Sequence, residues 1–364
     1  MSVKSSNDPL CEKACLVYLV DKNVSSPVDW IKDYELGMAN YKISLACLHY
    51  DRTDAILRQR IKPEGIDLQV VELNDVRDGF LRMFRGEFDV SEFSLAEYVY
   101  YLSRAKCQFV GIPVFLNRRF RHSYIFCNTS SNVIGPESLI GKRIGFWEWV
   151  QTASVWIRGT LVEEYGISPK GSTWCVGSVH HWEDEENEEI KPQSEFAIRW
   201  LEKDRSSVEA ALLEGEIDAL VLPTIPKSFI SGDKRLRRLF ENYRAEERAY
   251  FEKTGIFPIM HLLVARKSVI EQHPELPEKL FKLFCDSKKW ARERLRLDRG
   301  RLVWAIDYRR EEDEIFQGDP WQYGLKSSHH VIEKFLSYCY EQGVSDRKLH
   351  PRQLFAPSTW DLSE

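Results

Sequence analysis

Three arginines and a histidine crowd into five positions, Arg118, Arg119, Arg121 and His122, between the apolar run Gly111-Ile-Pro-Val-Phe-Leu-Asn117 and the alternating run Ser123-Tyr-Ile-Phe-Cys127. Guanidinium groups pair with carboxylates through two parallel hydrogen bonds, and an imidazole exchanges protons near neutral pH. The cluster therefore suits an organic anion with proton transfer beside it. On the strand period Arg119 and Arg121 share a face, where two like charges call for an anionic partner, and Arg118 points the other way, toward the surface. His122 falls opposite Arg121 unless a twist or bulge intervenes. A second histidine, His261, stands at the mouth of another apolar run, Thr254-Gly-Ile-Phe-Pro-Ile-Met-His-Leu-Leu-Val-Ala265.

The elements that must carry these groups read as alternating strands and helices. Tyr41 to His49 is a first strand, and Tyr50-Asp-Arg-Thr53 opens a helix over 54–60 with Asp51 or Thr53 as its cap. Asp67 to Glu72 is a second strand, and Asn74 caps a helix whose Val76, Phe80, Leu81 and Phe84 fall at helical spacing. A short strand reaches Val90, and Ser91 or Ser94 begins the next helix, so hydroxyls and free N–H groups gather at a helix start that accepts an anion. The same arrangement returns after Lys142-Arg-Ile-Gly-Phe146, where Glu148, Trp149, Thr152 and Ser154 precede or open a helix that stops at Gly166 and in which Arg158 is expected to form a salt bridge. The two runs rich in cations and histidine then read as a pair of crossovers between two α/β lobes. Residues 42–124 with 256–364 make one lobe, 125–255 the other, and 1–41 an N-terminal extension.

A chain of 364 residues exceeds the size at which one core usually keeps growing, which favours two lobes. Its net charge of −5 gives no whole-molecule attraction to nucleic acid or to an anionic membrane, so neither is expected as a partner. No run approaches the ~18–20 apolar residues of a membrane span, and Cys15 to Val20 is too short and too closely flanked by charge for an export signal. A cytoplasmic location is expected. The cysteines at 11, 15, 47, 107, 127, 175, 285 and 339 show no CxxC spacing and read as reduced, packed thiols, with no metal site. The run His180 to Glu189 reads as a solvated loop.

Tyr50-Asp-Arg-Thr53, Pro63-Glu-Gly-Ile-Asp67, Phe88-Asp-Val-Ser-Glu-Phe-Ser94, Ile112-Pro-Val-Phe115, Phe120-Arg-His-Ser123, Val155-Trp-Ile-Arg-Gly159, Gly215-Glu-Ile-Asp-Ala219, Gly255-Ile-Phe-Pro-Ile-Met-His261 and Leu354-Phe-Ala-Pro357 together resemble the 4,5-dihydroxyphthalate decarboxylase family. The likeness runs in order from about 42 to 358. Glu148-Trp149 keeps the family's acidic and aromatic pair, whereas Val150-Gln-Thr-Ala-Ser154 departs from its usual filling. The resemblance implies a two-lobed, type II periplasmic-binding-protein-like α/β fold, with mixed central sheets flanked by helices and a ligand cleft between the lobes. It implies a lyase that decarboxylates a hydroxylated aromatic or polyketide-derived acid by acid/base chemistry without a cofactor. A non-catalytic binding protein, and a cyclase or dehydratase on the same scaffold, stay open, as does self-association.

That chemistry needs a proton donor at the ring carbon that carries the carboxylate, a cation for the acid, and a dry wall for the departing group. His122 is the first candidate donor, His261 the second and Glu148 the alternative. Arg52, Arg119 and Arg121 are the candidate clamps. Asp51, Ser91, Ser94, Thr152 and Ser154 are further polar contacts, and Trp149 and Phe257 are ring walls.

Overall fold

The structure, a computed structural model, describes residues 41–178, 192, 195–201, 208–295 and 303–364. Of the expected extension only Tyr41 is described, and it opens the first strand; Cys11, Cys15 and the run His180 to Glu189 lie outside the described residues.

The strands are β1 Tyr41–Leu48, β2 Ile66–Leu73, β3 Val90–Ser94, β4 Phe109–Arg118, β5 Ile125–Asn128, β6 Arg143–Glu148, β7 Thr173–Ser178, β8 Ala197–Trp200, β9 Ala219–Val221, β10 Leu236–Arg238 and β11 Ile259–Arg266. The helices are α1 Asp54–Leu57, α2 Val76–Phe84, α3 Leu95–Ser103, α4 Thr152–Tyr165, α5 Val208–Leu213, α6 Lys227–Ile230, α7 Tyr243–Thr254, α8 Lys267–Gln272, α9 Leu276–Leu295, α10 Ala305–Phe316 and α11 Leu325–Glu341. Asp75, not the expected Asn74, caps α2, because its carboxylate accepts from Arg77 N at 2.8 Å.

Two mixed sheets result. The first has the order β2-β1-β3-β11-β4 and the second β10-β5-β9-β6-β7-β8. In the first, β3 runs parallel to β1 and antiparallel to β11, and β11 is antiparallel to β4. All five residues of β3 and most of β11 are buried, as befits central strands covered on both faces. Helices α3, α9 and α11 bury Leu95, Val99, Leu280, Phe284, Ile332 and Phe335 in the surrounding core. The C-terminal segment lies along β4, where Ala356 N donates to Gly111 O at 3.0 Å. Only glycine fits there, since a Cβ on residue 111 would stand 2.4 Å from Leu354 O. Under the second sheet Phe126, Leu212, Ile217 and Leu220 form a core with α5.

The chain passes between the sheets twice. It leaves β4 through Arg119–Arg121 and a 3-10 turn, His122–Tyr124, into β5, and it returns from β10 through α7 and Gly255–Pro258 into β11. The two passages lie side by side: Ile259 pairs with Arg118, and Arg119 N donates to Pro258 O at 2.9 Å.

Ending β4 at Arg118 also ends the alternation that placed Arg118 at the surface. It is buried, donating to Gln322 O at 2.8 Å and to Ser328 Oγ at 2.6 Å, while Arg119 is exposed. Arg158 likewise departs from expectation. It is fully buried, stacks 3.9 Å from the Trp149 ring and donates Nε to the Gln342 amide oxygen at 2.8 Å, with no ion pair to a carboxylate among the described residues. The described cysteines are free thiols, and all but Cys285 are buried.

Candidate active site

β3 places an acid, Glu92, inside the first sheet. In the ladder His261 lies directly across from Ser94, and Leu263 directly across from Glu92, so His261 shares a face with both and reaches Glu92 on the diagonal. The His261 Nδ1 stands 2.7 Å from Glu92 Oε1. Tyr50 donates its hydroxyl to the same oxygen at 2.7 Å, and Leu48 N donates to Oε2 at 3.1 Å. Burial would raise the Glu92 carboxyl, but the His261, Tyr50 and Leu48 contacts outweigh it and hold the group below the usual glutamate range. An ionised Glu92 only accepts, which fixes the proton on Nδ1 and leaves Nε2 as the ring's acceptor nitrogen while the imidazole is neutral. Nε2 has no hydrogen-bond partner among the described residues, and the imidazole is 13% exposed.

Tyr50 reaches Glu92 because Thr53 closes the turn after β1, accepting from Tyr50 N at 2.8 Å and donating to Leu48 O at 2.9 Å. Burial, and then the Glu92 charge, push the Tyr50 phenol well above its ordinary value, so it remains a donor. Asn117 pairs with His261 from the other side, at an irregular stretch where β4 slips against β11 on both sides of His261. Pro113 lies in that stretch and has no N–H for a ladder. The carbonyls freed there are used elsewhere: Pro113 O accepts from Gly324 N at 2.8 Å, and Leu116 O accepts from Arg52 Nε at 3.1 Å.

Ser94 ends β3 and caps α3, accepting from Glu97 N at 3.4 Å. Its hydroxyl also meets Thr152 Oγ1 at 3.0 Å, and Thr152 accepts from Ala96 N at 3.0 Å. Two helix starts, one after each sheet's strand, thus converge next to His261. Gln151 supplies no side-chain cap to α4, and no acidic residue stands in its first turn. Glu148, at the end of β6, is 2% exposed and accepts from Arg77 Nη2 at 2.7 Å, and that guanidinium lies 4.1 Å from the centre of the Trp147 ring.

Among the predicted residues the structure brings together His261, Ser94 and Thr152, and joins Asp51 and Arg52 to them through Tyr50. Ser154 shares the first turn of α4 with Thr152 and Glu148 ends the strand before it, while His122, Arg121, Arg119, Ser91, Trp149 and Phe257 make their contacts elsewhere. His122 is 5% exposed and boxed by the rings of Tyr250 at 5.3 Å, Phe240 at 5.4 Å and Tyr165 at 6.2 Å. Neither ring nitrogen has a partner among the described residues, burial pushes the imidazole down to about 4, and the space beside it holds about one water. Arg121 donates Nη1 to Pro223 O at 3.0 Å and Nε to Met260 Sδ at 3.2 Å; burial and then Arg119 push it down to about 9, still a cation at neutral pH. Arg119 donates to Tyr124 Oη at 2.9 Å. Ser91 faces away from Glu92 and donates to Glu92 O. Ser154 donates to Gln151 Oε1, and Trp149 is a core residue bonded to Gln342 O. Phe257 packs on Phe120 at 4.7 Å and on Trp321 at 5.5 Å. Sequence reasoning missed Glu92, Tyr50, Asn117 and Arg77. A signal existed for Glu92, a charge in the middle of a short buried strand.

Paired mixed sheets, two adjacent crossovers and convergent helix starts make this a two-lobed α/β protein of the periplasmic-binding-protein type. The ligand-binding component of an ABC-type import system from Staphylococcus aureus shares that fold, with a TM-score of 0.50 at 13% identity over 89% of this chain and 99% of its own. In sequence, the chain is 32% identical over 326 residues to a 4,5-dihydroxyphthalate decarboxylase of Comamonas testosteroni, covering 88% of this chain and 98% of that one. It is 27% identical over 206 residues to a protein of the same name from Pseudomonas putida, 56% of this chain and 79% of that one. No protein-family model matches it. The chain belongs to the 4,5-dihydroxyphthalate decarboxylase family and is an enzyme of the decarboxylase, carbon–carbon lyase type. No helix among the described residues is long and apolar enough to cross a membrane.

Proposed function

We propose that the chain removes one carboxylate, as carbon dioxide, from a hydroxylated aromatic acid of the phthalate or benzoate type, with His261 as the proton donor. The acid sits between two lobes, residues 42–124 with 256–364 and residues 125–255. The observation that carries the proposal is the 2.7 Å contact of His261 Nδ1 with a buried Glu92 that Tyr50 also holds, so that the proton on Nδ1 stays in place and Nε2 is the nitrogen that takes up and gives the exchangeable one. A substrate carboxylate meets the uncapped first turn of α4, where N–H groups and the helix dipole favour an anion. Protonated His261 gives its Nε2 proton to the ring carbon that carries the leaving carboxylate, a ring hydroxyl ortho or para to that carbon supporting the charge. The carbon–carbon bond then breaks, its electron pair restores the aromatic ring, and carbon dioxide departs. His261 is left neutral and regains a proton from water. His122, boxed by aromatic rings and pushed down to about 4, is neutral at pH 7 and gives up the donor role first expected of it.

The test is to incubate the purified chain with 4,5-dihydroxyphthalate and a panel of hydroxybenzoates, measuring carbon dioxide and product mass. In heavy water the product should carry one carbon-bound deuterium at the vacated position. His261→Asn should abolish turnover and leave ligand affinity within about tenfold, since only a transition-state proton transfer is lost. Wild-type turnover in His261→Asn would refute the assignment.

A further inference from the structure

Arg52 looks in the sequence like a clamp for a carboxylate, but each of its nitrogens is already engaged within the protein. Nε donates to Leu116 O at 3.1 Å, Nη2 donates to the same oxygen, and Nη1 meets Asp51 Oδ1 at 3.1 Å. The residue is 6% exposed, and its guanidinium carbon stands 3.8 Å from the centre of the Trp321 ring and 4.3 Å from that of Tyr50. Beyond Tyr50 the contacts continue without a gap, 2.7 Å from its hydroxyl to Glu92 and 2.7 Å from Glu92 to His261. Trp321, Arg52, Tyr50, Glu92 and His261 form one column from the α10–α11 connection to the imidazole.

We propose that Arg52 and Trp321 are positioning residues for His261, acting through Tyr50. A phenol ring held on one edge only by its hydroxyl swings about its χ angles, whereas a cation against its face restricts it. With the ring fixed, the hydroxyl stays on Glu92 Oε1, and the Glu92 carboxylate stays aligned with Nδ1. The irregular pairing of β4 serves this end, since it turns Leu116 O out of the ladder and onto Arg52. The inference rests on the reading of His261 as the proton donor only for its consequence in turnover, not for the column itself.

Nitrogen-15 NMR of histidine-labelled full chain, with the His261 signals identified by their loss in His261→Asn, reads the column without using turnover. Tyr50→Phe removes one donor from Glu92 and leaves more of its charge to His261, so the His261 Nδ1–H proton resonance should move downfield, the mark of a stronger charge-assisted hydrogen bond. Arg52→Met should move that resonance in the same sense and add nothing in the Tyr50→Phe background, whereas a direct effect of the lost cation would add in both. Arg52→Lys keeps a cation against the ring and should restore most of the wild-type resonance position. In turnover, Tyr50→Phe and Arg52→Met should lower kcat about tenfold with KM within about twofold. If Arg52→Met fails to fold, Trp321→Leu takes its place with the same expected signature. The proposal is overturned if Arg52→Met leaves the His261 Nδ1–H resonance unmoved, if its effect adds fully to that of Tyr50→Phe, or if it raises KM for the acid tenfold at unchanged kcat. Wild-type turnover in His261→Asn with a resonance that moves as described removes the catalytic reading and leaves the column standing; an unmoved resonance with inactive His261→Asn does the reverse.

Discussion

Replacing His122 with phenylalanine should flatten the acid limb of this protein's stability curve. The imidazole is 5% exposed, has no hydrogen-bond partner on either nitrogen among the described residues, and is pushed by burial from 6.5 down to about 4. In the unfolded chain the same group takes a proton near pH 6.5. Between those two values the unfolded state binds the extra proton, so stability contributed by the neutral form is fully present above about pH 6.5 and is lost as the pH falls toward about 4. At about 1.4 kcal/mol per pH unit, the loss across that window is about 3 kcal/mol. Phenylalanine keeps a ring among Tyr165, Phe240 and Tyr250 and titrates nothing. The assay is urea unfolding followed by tryptophan fluorescence at several pH values from about 7.5 to 4, for both proteins. The difference in unfolding free energy between wild type and His122→Phe should change by about 3 kcal/mol over that range, and turnover at neutral pH should survive the substitution. Parallel stability curves would show that His122 is not held neutral, and loss of turnover in a folded variant would return it to the catalytic candidates.

Three further outcomes follow from the packing. Thr152→Val removes the acceptor for Ala96 N and the partner of Ser94 Oγ, which should cost about 1–3 kcal/mol in thermal unfolding and lower kcat/KM; an unchanged Tm and rate would mean the helix starts do not depend on this contact. Gln342→Leu strips the buried Arg158 Nε of its acceptor and should destabilise by about 3 kcal/mol or more, read by chemical denaturation, with little loss if Arg158 finds another partner. Gly159→Ala places a Cβ 2.3 Å from the Tyr338 ring where α4 packs on α11, and the resulting overpacking should cost about 1–3 kcal/mol in stability; a neutral effect would show that Tyr338 yields freely.

The sequence carried the fold because its signals are local and repeated. Apolar alternation in Tyr41 to Leu48 and helical spacing in Val76 to Phe84 each name an element, and the order of elements with collinear short motifs points to two α/β lobes. His261 was legible too, as a titratable residue at the mouth of an apolar run. What the sequence could not supply was which polar groups meet. Glu92 and His261 are 169 positions apart, and only the antiparallel register of β3 against β11 sets them on one face. Periodicity also misled where a strand stopped: the arginine cluster was read as continuing β4, but the chain leaves the ladder after Arg118, which buries Arg118, exposes Arg119 and turns His122 into an aromatic box. Arg52 shows the same limit, since a guanidinium's partner depends on a carbonyl 64 positions away that an irregular strand pairing sets free. Local propensity follows from each residue's own sterics and polarity, whereas partner choice follows from register and packing, which exist only once the chain has folded.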